Sequence, residues 1–300
     1  LVLATDGIDP QAFIEEGYLD ASLKTGLQLG IPPELAYQMV TINMAEHFHL
    51  YHLIGSLSPG KLADIVIIPS PLDFSPQLVM CDGRIIYRDG KSLTEPQKVS
   101  FPDTMFHTVE IHAYTPPSLP KSGEVRAMEL ETRLVTKEKI IELRESEETK
   151  DVAMLLALDR IGRRGAFTGL LKGFGLQRGA YGTTMSWDTP DMIVVGCDSC
   201  SMETVTRRLR EIGGGGVYAI GDEIVAEFPA PLCGFYSLKP MEILSAEVKN
   251  VEDCLKRNGV RWEKPILTVD TLGTPAIPFL RITHHGYVNL KDRKILSLQV

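Results

Sequence analysis

The sequence predicts an α/β protein in three parts. The first is the last β/α unit of a (β/α)8 barrel, the second a small β module, the third a C-terminal α/β domain. Three observations predict it. Leu1-Val2-Leu3-Ala4 reads as a short buried strand that ends on Thr5-Asp6-Gly7, and two helical patterns follow. A hairpin signature, Asp82-Gly83 between apolar runs, comes next. From Glu124 onward, short apolar strands alternate with amphipathic helical stretches. The boundaries expected are 1–53 for the end of the barrel, 54–99 for a small β-sandwich module, and 100–300 for the α/β domain.

Composition narrows the classes. The chain of 300 residues is 44% hydrophobic and 23% charged, ordinary for a globular protein with a sizeable core. Its formal net charge is −8 and no basic block is present, which argues against nucleic acid or an anionic membrane as partner. No apolar run reaches the roughly 18 residues of a membrane helix. The five cysteines, Cys81, Cys197, Cys200, Cys233 and Cys254, are scattered and odd in number. They read as free thiols in a reducing, cytoplasmic compartment. The chain opens on Leu1 inside an apparent strand and reads as the C-terminal piece of something longer.

The elements follow in order. Asp9-Pro10 starts a segment whose apolar residues, Phe13 to Leu29, suit one or two short helices broken at Gly17. Pro33 restarts the pattern from the first turn of a helix, a favoured place for proline. Strand, helix, helix suits the last unit of a barrel, where a carboxylate at a strand's C-terminal tip stands where chemistry is placed. Ala63–Ile68 is a β-branched strand, and Leu78–Cys81 with Arg84–Tyr87 is the hairpin. Residues 92–122 are rich in proline (Pro96, Pro102, Pro116, Pro117, Pro120) and carry the expected boundary. Beyond them, Arg126–Leu130 and Arg133–Val135 look like strands, and Thr136–Lys139 like an N-cap opening a short segment. Met154–Leu158, Ala166–Leu171 and Ala180–Met185 are further apolar stretches. Met192–Gly196 is the clearest buried strand of this half. Ser201–Ile212 is an amphipathic helix, Val217–Phe228 a hairpin, and Val251–Asn258 a helix ended by Gly259.

Four stretches together carry a resemblance: Thr5-Asp6-Gly7, Glu16-Gly17-Tyr18-Leu19-Asp20, Thr41-Ile42-Asn43-Met44-Ala45-Glu46, and Gly55 to Val66 with its Pro59-Gly60-Lys61 and Ala63-Asp64. They resemble the amidohydrolase superfamily. More narrowly, Gly173-Phe174-Gly175-Leu176-Gln177-Arg178-Gly179-Ala180, Ile193–Gly196 and Gly213-Gly214-Gly215 make the chain similar to the adenine deaminase family through its third domain. The resemblance implies a metal-dependent hydrolase that converts adenine to hypoxanthine and ammonia. It implies a binuclear divalent centre of manganese or iron, with zinc as the alternative, at the mouth of the barrel. Asp6 matches the family's last metal ligand and would also move the proton, so it is the one catalytic and metal-ligating candidate. The partner implied is a small-molecule purine, and a homodimer is compatible with the family.

The chain also departs from the family. Only one β/α unit of the barrel is present, and the other ligands are not. His47-Phe48-His49 is not the missing His-x-His, because residues two apart on a helix do not share a face. His49 and His52 could share one, with no further ligand in view. Cys197-Asp198-Ser199-Cys200 follows Gly196 and lacks a His-x-Glu, so it reads as a turn between strand and helix. The stretches Gly173–Gly179 and Gly213–Gly216 lack the ending of a phosphate loop. His284-His285 reads as an ordinary hairpin. Where the family carries His-Asp-x-His-Asn, this chain has Trp187-Asp188-Thr189-Pro190-Asp191. Gly7 and Asp9 stand where many relatives have an acidic residue and a histidine. These changes open an alternative, an amidohydrolase acting on another purine or cyclic amide, and beside it a non-catalytic relative or a fragment inactive alone.

Overall fold

The computed structural model describes residues 1–111, 114, 122–143, 151–162 and 165–300. Pro116, Pro117 and Pro120 of the expected linker lie outside the described residues. The chain divides into two compact units, Leu1–Ser100 and Phe101–Val300.

In the first unit, α1 (Pro10–Glu15) begins as its sequence dictates. Asp9 accepts hydrogen bonds from the Gln11 and Ala12 amides at 3.0 and 2.9 Å, and Pro10 fills the first turn. Gly17, at φ 101°, ends it and lets α2 (Leu19–Gln28) start in a new direction. Next come α3 (Pro33–Met39) and α4 (Ile42–His47). Leu23, Ala36, Met39 and Ala45 are the buried apolar residues of these helices.

The expected opening strand is not a strand here. Leu1–Thr5 runs without a ladder, tied only by the Leu3 amide to the Met39 carbonyl (3.1 Å) and by the Asn43 side chain to the Leu1 carbonyl (2.9 Å). A strand needs neighbouring strands for its backbone groups, and among the described residues none flanks this segment. Leu1 is 93% exposed.

The β module consists of β1 (Ile65–Ile67), β2 (Leu78–Cys81), β3 (Arg84–Arg88) and β4 (Lys91–Ser92), paired antiparallel in that order. Asp82 and Gly83, both at positive φ, make the two-residue turn that joins β2 to β3. Asp64, just before β1, accepts the Asp82 amide at 2.8 Å and so pins that turn. The four strands form one sheet, whereas a sandwich requires a second layer facing it.

The second unit is built on an eight-stranded sheet. Its strands are β5 (Glu124–Leu130), β6 (Thr136–Glu142), β7 (Val152–Asp159), β8 (Ala166–Lys172), β9 (Ala180–Thr183), β10 (Asp191–Gly196), β11 (Gly215–Ile220) and β12 (Glu223–Pro229). They lie in the order β12-β11-β9-β10-β7-β8-β5-β6, and only the β5–β8 pair is parallel. Helix α5 (Ser199–Glu211) covers one face; α6 (Met241–Arg257) and α7 (Pro265–Asp270) cover the other. A hairpin of β13 (Leu280–Thr283) and β14 (Gly286–Asn289), extended by β15 (Lys294–Leu296), forms a further three-stranded sheet.

Burial on both faces explains the continuous apolar runs of β7 and β10. Ile193, Val195, Leu155 and Ala157 join the core with Val251, Leu255, Ile266 and Val269 of α6 and α7. Their alternate neighbours Met192, Val194, Leu156 and Leu158 join Met202, Val205 and Leu209 of α5. Side chains alternate across a strand, so a strand between two helical layers needs apolar residues at every position.

Three sequence expectations are corrected in this half. Arg133–Val135, expected as a strand, lies in the turn formed by residues 131–135, and Thr136–Lys139, expected as an N-cap opening a short segment, is the start of β6 in full register with β5. Cross-strand partners decide it: Lys137 pairs with Glu129 (3.2 Å) and with Glu131, while Arg126 holds Glu138 at 2.6 Å. The helix expected from Val251 begins ten residues earlier, at Met241.

Arg281, only 1% exposed, locks β13 in place. Its guanidinium donates to the carbonyls of Leu134 (2.8 Å), Thr271 (3.2 Å), Ile277 (2.5 Å) and Pro278 (2.5 Å). Burial lowers its pKa to about 10, where it is still charged at neutral pH.

Candidate functional site

Asp6 lies in the first unit, exposed, at φ 56°, with its Oδ1 accepting the Gly7 amide at 2.7 Å. The carboxylate is open to solvent. Among the described residues it belongs to no group of three or more His, Cys, Asp or Glu side chains. His47 stacks edge-on to Phe48 and His52 edge-on to Tyr51, and neither joins such a group.

One group of that kind occurs among the described residues, in the second unit: Asp159, Asp191 and His284, whose ligand atoms all lie within 4.8 Å of one another. Three elements bring it together. Asp159 ends β7 and Asp191 begins β10, and the antiparallel ladder sets the two residues directly opposite each other. The turn between β13 and β14 delivers His284, whose Nδ1 lies 2.6 Å from Asp191 Oδ1. The two carboxylates are 3% and 1% exposed. The ring occupies space left by Gly165, where a Cβ would come within 2.1 Å of the His284 ring.

Arg160 borders the group. Its Nη1 donates to the Cys233 carbonyl at 3.1 Å, while its buried Nε finds no acceptor. Burial lowers the guanidinium pKa, and the charge of Asp191 partly offsets that. Two carboxyl oxygens and an imidazole nitrogen are a ligand set suited to a borderline divalent ion such as zinc or manganese.

The segment 187–191 packs around this end of the sheet. Asp188, at φ 62°, accepts the Thr274 hydroxyl, Ser186 and Thr189 hydroxyls lie 3.1 Å apart, and the Trp187 amide donates to the Asp270 carbonyl at 2.9 Å. Asp191, at the last position of that segment, is the residue that meets His284. Neither His284 nor Asp159 stands out in the sequence, because the His284–Asp191 pairing spans 93 residues. The one local signal was a charged residue at the edge of each of two fully apolar strands.

The Cys-x-x-Cys is a turn and a helix cap. Asp198 accepts the Ser201 amide at 2.8 Å and its hydroxyl at 2.7 Å, starting α5. Desolvation first, then Asp198 and Asp151, push the Cys197 thiol up to about 11, and the Cys200 thiol is raised as well. A redox pair needs the opposite shift. Gly214 of the glycine run approaches Gly234 so closely that a Cβ would lie 2.6 Å from its Cα, which makes this run a packing device.

Comparison with known proteins supplies the rest. Residues 129–294 match the model of the adenine deaminase C-terminal domain, and residues 1–86 match that of the amidohydrolase family. An adenine deaminase of Clostridium botulinum (strain Loch Maree) is 32% identical over 100% of this chain and 52% of its own length. One from Archaeoglobus fulgidus is 31% identical over 99% of the chain and 52% of its length, and one from Moorella thermoacetica 28% over 99% and 52%. The chain thus spans about half the length of the curated relatives it matches. No helix among the described residues is long and apolar enough to cross a membrane.

Proposed function

We propose, from the premise that this chain belongs to the adenine deaminase C-terminal domain family, that it serves in the hydrolytic deamination of adenine to hypoxanthine and ammonia. The observation that carries the reading is a similarity to adenine deaminases that runs the whole length of the chain, with Asp6 inside the amidohydrolase match. In this reading residues 1–53 close a (β/α)8 barrel, residues 54–99 are its small β domain, and residues 100–300 are the third domain. Neighbouring barrel strands would give Leu1–Ala4 the ladder it lacks alone.

The family's chemistry calls for divalent metal, here a binuclear manganese or iron centre with zinc as the alternative; such ions lower the pKa of a bound water so that hydroxide exists at neutral pH. Asp6 fits one place in such a centre, an exposed carboxylate with one oxygen steadied by the Gly7 amide. It does not complete one, so the role assigned to this chain is limited. Asp6 ligates through its carboxylate, takes a proton from the attacking water at that oxygen, and passes it to the departing amino group. The substrate is a small purine, the setting cytoplasmic purine salvage, and the assembly a homodimer.

The test uses the intact protein, with the upstream half that the relatives possess, loaded with manganese. It should release ammonia from adenine, and Asp6→Asn should lower kcat by at least a hundredfold, the scale of a lost acid–base group. Normal turnover by the Asn variant would remove Asp6 from the chemistry. A second reading, hydrolysis of another purine or a cyclic amide, is favoured by Trp187-Asp188-Thr189-Pro190-Asp191 in place of His-Asp-x-His-Asn. A screen of purines, pyrimidines and cyclic amides separates the two.

A further inference from the structure

Asp159, Asp191 and His284 have no part in the role given to Asp6, and they carry an inference that does not rest on it. We propose that these three side chains bind a single divalent transition-metal ion at the end of the large sheet. The ligands come from three elements that the fold holds firmly: two strands in direct register and a hairpin turn seated on them. Such convergence from positions 159, 191 and 284 is unlike a run of surface acids, which are neighbours in sequence and open to water.

The geometry is close to what an ion needs. Ligand atoms about 2.1 Å from one ion stand about 3 to 4 Å apart. The three atoms here already fall within 4.8 Å of one another, with the ring nitrogen 2.6 Å from Asp191. Ring and carboxylate would part by about half an ångström to admit the ion between them. Gly165 leaves the ring its place; any side chain there would collide with it.

Three protein ligands would leave a coordination position on such an ion open to water or a small anion.

The competing account is a metal-free ion pair between a protonated His284 and Asp191. The experiment separates them on the full chain, stripped with EDTA and titrated with manganese chloride, with free manganese followed by electron paramagnetic resonance. The expected result on the 300 residues, in which Asp6 belongs to no group of three ligands, is one ion per chain, weakened at least tenfold in Asp191→Asn and in His284→Gln. Absence of saturable binding, or binding kept by His284→Gln, would overturn the proposal. Should either variant fail to fold, the unaltered chain decides. Manganese should broaden the His284 imidazole resonance selectively, and an unaffected resonance counts against the site. Loss of binding in Asp6→Asn alone would locate the ion at Asp6 and refute this assignment.

Discussion

Asp270 shows how much one residue can carry. It closes α7 and is buried, with one carboxyl oxygen that has no hydrogen-bond partner. Burial first pushes its pKa up to about 8; a hydrogen bond with Thr183 opposes this and the charge of Glu252 adds to it. The folded pKa therefore lies above the unfolded value of about 3.9. Between those pH values the folded chain holds a proton that the unfolded chain has lost. Stability is then fully present below about pH 4, falls by up to about 1.4 kcal/mol per pH unit up to about pH 8, and is level beyond. Asp270→Asn should abolish that slope and gain most at pH 8 and above, as urea unfolding at pH 5 and pH 8 would register. An unchanged slope in the variant would show that Asp270 ionises freely in the fold. Tyr181, fully buried nearby, is likewise pushed up by desolvation.

At the scale of elements, local chemistry and packing separate cleanly. The start of α5 is local: Asp198 caps it, and Asp198→Ala should cost about 1 kcal/mol, seen as a lower thermal midpoint. The centre of the sheet is packing. Leu156, fully buried on β7 against Met202 and Val205 of α5, should cost about 3 kcal/mol on substitution by Ala. Its urea midpoint should fall with the slope unchanged. Strands β7 and β10 were legible as continuous apolar runs, and the Asp82-Gly83 hairpin as turn chemistry. Strand β6 was not, because Thr136-Lys137-Glu138-Lys139 is as suitable for a helix start as for an edge strand. Only Glu129, Glu131 and Arg126 on the neighbouring chain segment make it a strand. The first turns of α6 are not legible for a related reason: Glu242, Lys249 and Asn250 dilute the pattern, and it is the packing of α6 against β12 that supports them.

For the whole molecule, the second unit is a layered α/β/α body with its own buried centre. Residues 101–300 expressed alone should therefore unfold cooperatively, with near-ultraviolet circular dichroism of fixed aromatic packing. A molten signal would mean that this core needs the first unit. The first unit has only four buried apolar helix residues and a segment, Leu1–Thr5, without strand partners. It should be the less stable of the two, the first to exchange amide hydrogens and the first to be cut by protease.

By itself the sequence determined the alternation of strands and helices, the turns, the caps, the family likeness and the candidacy of Asp6. All of these are written in residues near one another, where short-range sterics and hydrogen bonding act. Only the tertiary structure decided that Leu1–Ala4 has no ladder, that Thr136–Glu142 is a strand, and that His284 meets Asp159 and Asp191. The first two depend on which strand lies alongside. The third depends on a hairpin folding back across 93 residues onto the ends of two strands. Proximity of that kind is set by how the layers pack, and no local pattern records it.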